Sequence, residues 1–127
     1  MFSHVTLGTN DPDRARRFYE PLMAALGIAQ PFAMEGAIAF GALAGSKLFV
    51  VTPFDRAPAI SGNGVHFALI AESRAAVDAF HAAALANGGS DEGPPGLRPH
   101  YHANYYAAYV RDPDSNKLQA VCHSPRG

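Results

Sequence analysis

The chain has 127 residues, 48% hydrophobic and 17% charged, with a net charge of −1. Such a chain builds one globular core and is not disordered. The near-neutral balance, with Lys47 and Lys117 the only lysines, argues against nucleic acid as a partner. No apolar run reaches the roughly 18 residues of a membrane span. One cysteine, Cys122, allows no internal disulfide, and Met1-Phe2-Ser3-His4-Val5 does not read as a leader. The expectation is a cytoplasmic protein with no membrane partner.

Phe2 to Gly8 reads as a strand. Asp11 caps a helix, Pro12 suits its first position, and Ala15, Phe18, Tyr19, Leu22 and Leu26 give it an apolar face up to Gly27. Pro21 lies inside that pattern and predicts a kink or restart. Ala29–Met34, Ala37–Leu43 and Lys47–Thr52 read as strands. A Pro- and Gly-bearing loop leads to the next strand, Val65–Ala71. Ser73 caps a second helix faced by Val77, Phe80, Ala84 and Leu85 and ended by Gly88-Gly89. Asp91 to Asn104 reads as irregular, with a weakly signalled strand before it. Tyr105–Val110 and Lys117–Cys122 form the last strands, joined by a turn at Asp112-Pro113-Asp114-Ser115-Asn116.

The chain repeats itself. An offset of 62 puts His4 on His66, Leu7 on Leu69, Asp11 on Ser73, Phe18 on Phe80 and Gly27 on Gly89. Farther on, Ser46–Val51 matches Asn116–Val121 at an offset of 70, so the second half carries eight extra residues before its last strand. The predicted fold is α+β, one domain over 1–127, with one strand–helix–three-strand module over about 1–55 and another over about 63–124.

Four features could carry chemistry. His4 and His66 occupy equivalent positions, and on inner sheet faces their imidazoles would converge near the pseudo-two-fold axis. Two His and an oxygen donor suit a divalent transition metal; hydrogen-bonded core histidines are the competing reading. Gln119 is the natural third donor, either a weak ligand or a polar group facing a cavity, and its repeat partner Phe49 cannot ligate. The stretch Arg98-Pro99-His100-Tyr101-His102-Ala103-Asn104-Tyr105-Tyr106 offers an anion clamp in Arg98 and aromatic hydroxyls that suit a pocket wall or a subunit contact. His100 and His102 form an H-x-H pair, either a small metal site or incidental surface histidines. Ligand contacts are expected at Arg98, His102, Tyr105, Tyr106 and Phe49. Cys122 faces opposite to Gln119 and reads as a buried thiol. Arg14, Arg16 and Arg17 read as a solvated helix face, and His81 as partly buried.

His4–Asp11 with Arg16-Arg17-Phe18-Tyr19, Gly62-Asn63-Gly64-Val65-His66-Phe67 and Tyr109–Leu118 resemble the vicinal oxygen chelate superfamily, the glyoxalase, bleomycin-resistance and extradiol-dioxygenase group. The D-P-D-x-N-K-L ending is fairly specific to it. The resemblance implies two βαβββ modules forming a curved mixed sheet around a cavity, and a homodimer. It implies metal ligands at His4, His66, Gln119 and the region of Phe49. The chain departs there, since Gln119 stands where Glu is usual and Phe49 offers no donor. Ser115 also replaces a usual Gly, and Asn116 is expected to absorb the turn's unusual backbone angle. The resemblance implies an enzyme with one divalent ion (Zn, Ni, Fe or Mn) acting as lyase, isomerase or dioxygenase on a small anionic molecule. Glyoxalase I activity is not expected without the Glu. The rival reading is a metal-free protein that sequesters a small molecule, as bleomycin-resistance members do.

Overall fold

The computed structural model describes residues 1–125. The first module runs β1 (His4–Gly8), α1 (Pro12–Ala25), β2 (Phe32–Met34), β3 (Ala37–Gly41), β4 (Lys47–Val51). The second runs β5 (His66–Ile70), α2 (Arg74–Ala86), β6 (Ser90–Leu97), β7 (Tyr106–Arg111), β8 (Lys117–Cys122). Each builds a four-stranded mixed sheet, ordered β1-β4-β3-β2 and β5-β8-β7-β6. The first strand of each module lies parallel to its last, with His4 opposite Lys47 and His66 opposite Lys117. The duplication read from the sequence is thus a duplication of topology. The modules meet mainly through α1 against α2, and the two sheets are not joined.

Both helix starts follow from their caps. Asp11 accepts a hydrogen bond from Arg14 N, and Ser73 from Ala76 N. Alternation on the strands and helical spacing on α1 and α2 bury Phe18, Tyr19, Leu22, Val77, Phe80, Val110 and Leu118 completely. Each contributes about 1.5–3 kcal/mol by leaving water. Pro21 does not restart α1, which runs on to Ala25. It removes one backbone donor, and the buried face on either side holds the helix together.

The stretch expected to be irregular contains a strand. β6 pairs antiparallel with β7 despite Pro94 and Pro95, with register shifts between Asp91 and Gly93 and between Gly93 and Gly96. It is an outer strand, where a proline need not donate to a neighbour, and the irregular register absorbs what does not pair. Residues 98–105 form a loop that returns to β7.

The turn after β7 fastens the second module to the first. Asp114 accepts from Thr9 Oγ1 at 2.5 Å, Asn10 N at 2.9 Å and Arg14 Nη2 at 2.8 Å. Asp112 accepts from the Tyr19 hydroxyl at 2.5 Å, and Asn116 Nδ2 donates to Gly8 O at 3.0 Å. Arg14 is therefore more than part of a solvated face. The turn's positive φ falls on Ser115 (+70°) rather than Asn116, whose side chain is committed to these contacts. Gly89 closes the same junction. A Cβ there would stand 2.6 Å from Arg111 O and from Phe18 Cε1. Among the described residues no helix is long and apolar enough to cross a membrane.

Candidate functional site

Strand alternation separates core from site. On β8, Leu118, Ala120 and Cys122 join the core beneath the helices, so Lys117, Gln119 and Val121 face the other way. Gln119 lies opposite Tyr109 on β7 and Ala68 on β5. Of the described residues, four polar ones are buried: Thr9, Asp112, Asn116 and Gln119. Asp112 and Asn116 belong to the turn that joins the modules, and Thr9 donates to that turn's Asp114. Gln119, 2% exposed, is buried on the sheet face away from the helices.

Gln119 is held at both ends. The Tyr105 hydroxyl donates to its Oε1, and its Nε2 lies 3.2 Å from His66 Nε2. An amide nitrogen only donates, so His66 Nε2 accepts and the ring proton sits on Nδ1. The result is a neutral chain, Tyr105–Gln119–His66, from loop 98–105 across β8 to the outer strand β5. Tyr109 packs beside it, its ring 5.8 Å from that of His66. Desolvation, with Tyr105 and Tyr101 close by, pushes the Tyr109 phenol up to about 12. It is a hydrogen-bond donor, not a phenolate, at neutral pH. Lys117 Nζ and the Arg98 guanidinium lie 5.3 and 5.7 Å from the Tyr109 ring centre.

The expected ligand contacts are thus partly assembled. Tyr105 reaches Gln119, and His102 packs edge-on to Tyr105 at 5.4 Å. Arg98 lies near Tyr109 but spends two donors on the carbonyls of Gly96 and Pro94. Its guanidinium braces β6 rather than standing free as a clamp. Tyr106 is not in the group. Alternation on β7 turns it toward α2, where its hydroxyl donates to Asp78 at 2.6 Å and Arg74 lies over its ring. His100 does not pair with His102; its ring lies tilted against Tyr101 at 4.2 Å, while His102 meets His123. Sequence reading missed His123, although continued alternation from Gln119 through Val121 gives it the same face.

His4 and Phe49 share the first sheet. Their rings meet edge to face at 5.1 Å, and Phe32 lies 5.8 Å beyond Phe49. His4 and His66 occupy outer strands of separate sheets, His4 against Phe49 and His66 against Gln119 and Tyr109. Beside the free edge of β5 an open cleft of about 1010 Å³ is lined by Val5, Phe40, Leu48, Phe67 and Leu69.

The residues expected around a metal do not fit one in this arrangement. The Gln119 oxygen already accepts from Tyr105, the His66 Nε2 lone pair accepts from the Gln119 amide, and His4 meets a hydrocarbon ring edge to face with its Nδ1 2.9 Å from Ser3 Oγ. The set carries no negative charge to offset a dication. Among the described residues, no three His, Cys, Asp or Glu side chains converge as a metal site.

A family model for the Glyoxalase/Bleomycin resistance protein/Dioxygenase superfamily matches residues 1–120. A glyoxalase/bleomycin resistance protein from Albidiferax ferrireducens T118 is 40% identical, with TM-score 0.88, covering 98% of this chain and 99% of that one. A glyoxalase-related enzyme from Fulvimarina pelagi is 22% identical, with TM-score 0.73 and coverage of 96% and 87%. Lactoylglutathione lyase from Agrobacterium tumefaciens is 20% identical, with TM-score 0.63 and coverage of 96% and 92%; like the Fulvimarina structure, it shares the fold. No curated protein matches the chain significantly. With 120 of 127 residues under the family model and both modules in place, the chain belongs to the Glyoxalase/Bleomycin resistance protein/Dioxygenase superfamily.

Proposed function

We propose that this chain is a small-molecule-binding member of the family whose site needs no resident metal. The site is the open face of the second sheet: Gln119 at the floor, His66 at the edge, Tyr105 and His102 on the loop above and Tyr109 at the side. The observation that carries this reading is the burial of Gln119 between two neutral hydrogen-bond partners. A buried amide so placed presents direction rather than charge, and a ligand with a donor and an acceptor can exchange with Tyr105 or His66 at little cost. Lys117 favours an acidic group on that ligand, and the aromatic rings favour a flat one.

The site is completed by a second copy in a cytoplasmic homodimer. β1 and β5 end their sheets with unpaired edges, and Phe2, Val65 and Ile70 are exposed beside them. Pairing these edges between copies places the His4–Phe49 face of one chain against the His66–Gln119 face of another. Light scattering checks the dimer, with Ile70→Glu expected to weaken it.

The binding test uses chelator-treated protein and a panel of small aromatic carboxylates and phenols, read by calorimetry. The expected result is a saturable ligand whose affinity falls about tenfold or more in Gln119→Leu, the loss of a directed buried polar contact. If no member of the panel binds until zinc, nickel, manganese or iron(II) is restored, the family's metal-dependent chemistry replaces this reading.

A further inference from the structure

Two histidines outside this hydrogen-bonded chain meet nitrogen to nitrogen. His102 Nε2, on loop 98–105, stands 2.9 Å from His123 Nδ1, just past β8, and the rings are tilted by 28°. Twenty-one residues separate them in sequence, so the fold rather than local chain geometry puts them together. Both are exposed, and neither enters an ion pair among the described residues. Tyr105 packs edge-on to both rings, at 5.4 and 5.3 Å, and its hydroxyl is engaged by Gln119.

We infer that His102 and His123 form a two-imidazole site for a divalent transition ion of the copper(II) or nickel(II) kind. Imidazole nitrogen suits these ions, and in square-planar coordination with bonds of about 2.0 Å two adjacent nitrogens lie about 2.8–2.9 Å apart. The observed separation matches that spacing, so only the rings need to pivot, and exposed rings do so without disturbing the core. Without metal, Asn104 N donates to His102 Nδ1 at 3.1 Å, so the His102 proton sits on Nε2 and points at His123. On ligation that proton moves to Nδ1, the Asn104 contact opens, and both facing lone pairs turn to the ion. Net protonation does not change. Among the described residues no third His, Cys, Asp or Glu side chain joins the pair, and water fills the remaining positions. The bound ion ties loop 98–105, which carries Tyr105, to the segment after β8.

The test is copper(II) titration of tag-free protein, followed by electron paramagnetic resonance, on wild type, His102→Gln, His123→Gln and His66→Gln. One equivalent with nitrogen-coupled lines is expected. Affinity should fall about tenfold or more in each of His102→Gln and His123→Gln, a loss at least as large as that of an outer-shell partner. His66→Gln should bind as wild type does. Circular dichroism checks that the variants remain folded. Absence of binding, binding that survives loss of either His102 or His123, or binding abolished by His66→Gln overturns the inference. The last outcome would place the ion on the sheet face and leave the loop pair as a hydrogen bond.

Discussion

The two modules share a topology and differ in what they do with it. Each opens with a histidine on an outer strand and sets a lysine opposite, His4 with Lys47 and His66 with Lys117. Two positions after the lysine the halves part: Phe49 meets His4 edge to face, while Gln119 bridges His66 to Tyr105. The turns before the last strands part as well. Asp112-Pro113-Asp114-Ser115-Asn116 fastens one module to the other, whereas its repeat counterpart, Ala42-Leu43-Ala44-Gly45-Ser46, has no carboxylate and leaves Leu43 79% exposed. Duplication supplied two equal frames. One became an apolar face, and the other a roofed polar one that also makes the joint.

The joint is where the comparison breaks with the largest effect. Asp114→Ala removes three hydrogen bonds from a carboxylate 1% exposed, one of them to an Arg14 side chain 41% exposed. The expected loss is about 2–4 kcal/mol, well below the sum of buried contacts because Arg14 is partly screened by solvent. Melting should fall by roughly 10 °C. Leu43→Ala, at the opposite turn, should move it little. Equal losses would contradict the assigned asymmetry.

Tyr19→Phe comes next, at about 1–2 kcal/mol in urea denaturation near neutral pH. It also has a pH signature. Burial raises the Asp112 carboxyl above its usual range, against hydrogen bonds from Tyr19 and Asn116 that lower it. A carboxyl raised on folding adds stability at acid pH, which is lost as pH rises through its folded value. Removing the Tyr19 hydroxyl raises it further. The gap between wild type and variant should therefore narrow as pH falls, and a gap constant with pH would deny the Tyr19–Asp112 bond.

A sharper comparison converts the second face toward a charged donor set. Gln119→Glu should tighten divalent metal binding by about tenfold or more, because it supplies the missing anionic ligand. Phe49→Leu, on the other face, should leave metal affinity unchanged. Unchanged affinity in Gln119→Glu would remove this face from consideration as a latent metal site.

The smallest effect lies at the rim of the second sheet. Asp91 is lowered by its hydrogen bond to His81, and Glu92 by its bond to Arg111. Lowered carboxyls contribute above their unfolded range, and the contribution is lost as pH falls through the folded value. Arg111→Gln should flatten the Glu92 part of the acid-side slope of stability. Both acids are exposed, so the change should be slight and should shrink further in high salt.

Much of this was legible in the sequence because it rests on local chemistry. Asp11 and Ser73 announce the helix starts, and the offsets of 62 and 70 reveal the modules and the longer second loop. β6 was obscured by Pro94 and Pro95, which mark breaks until the strand is known to be an outer one. The role of the Asp-Pro-Asp turn was hidden because its partners, Thr9, Asn10, Arg14 and Tyr19, lie about a hundred residues earlier. Gln119 was legible as a departure, but its partnership with Tyr105 depends on how loop 98–105 folds back. The His102–His123 contact has the same long-range origin, and the nearer His100 was the misleading signal.

The most direct test of the central claim is calorimetric binding of the aromatic carboxylate and phenol panel to chelator-stripped wild type and to Tyr105→Phe. A panel member should bind wild type without added metal and bind Tyr105→Phe more weakly, since the variant removes the hydroxyl that holds the Gln119 amide in its orientation. Binding that appears only on adding a divalent ion, and is indifferent to Tyr105, would contradict the account.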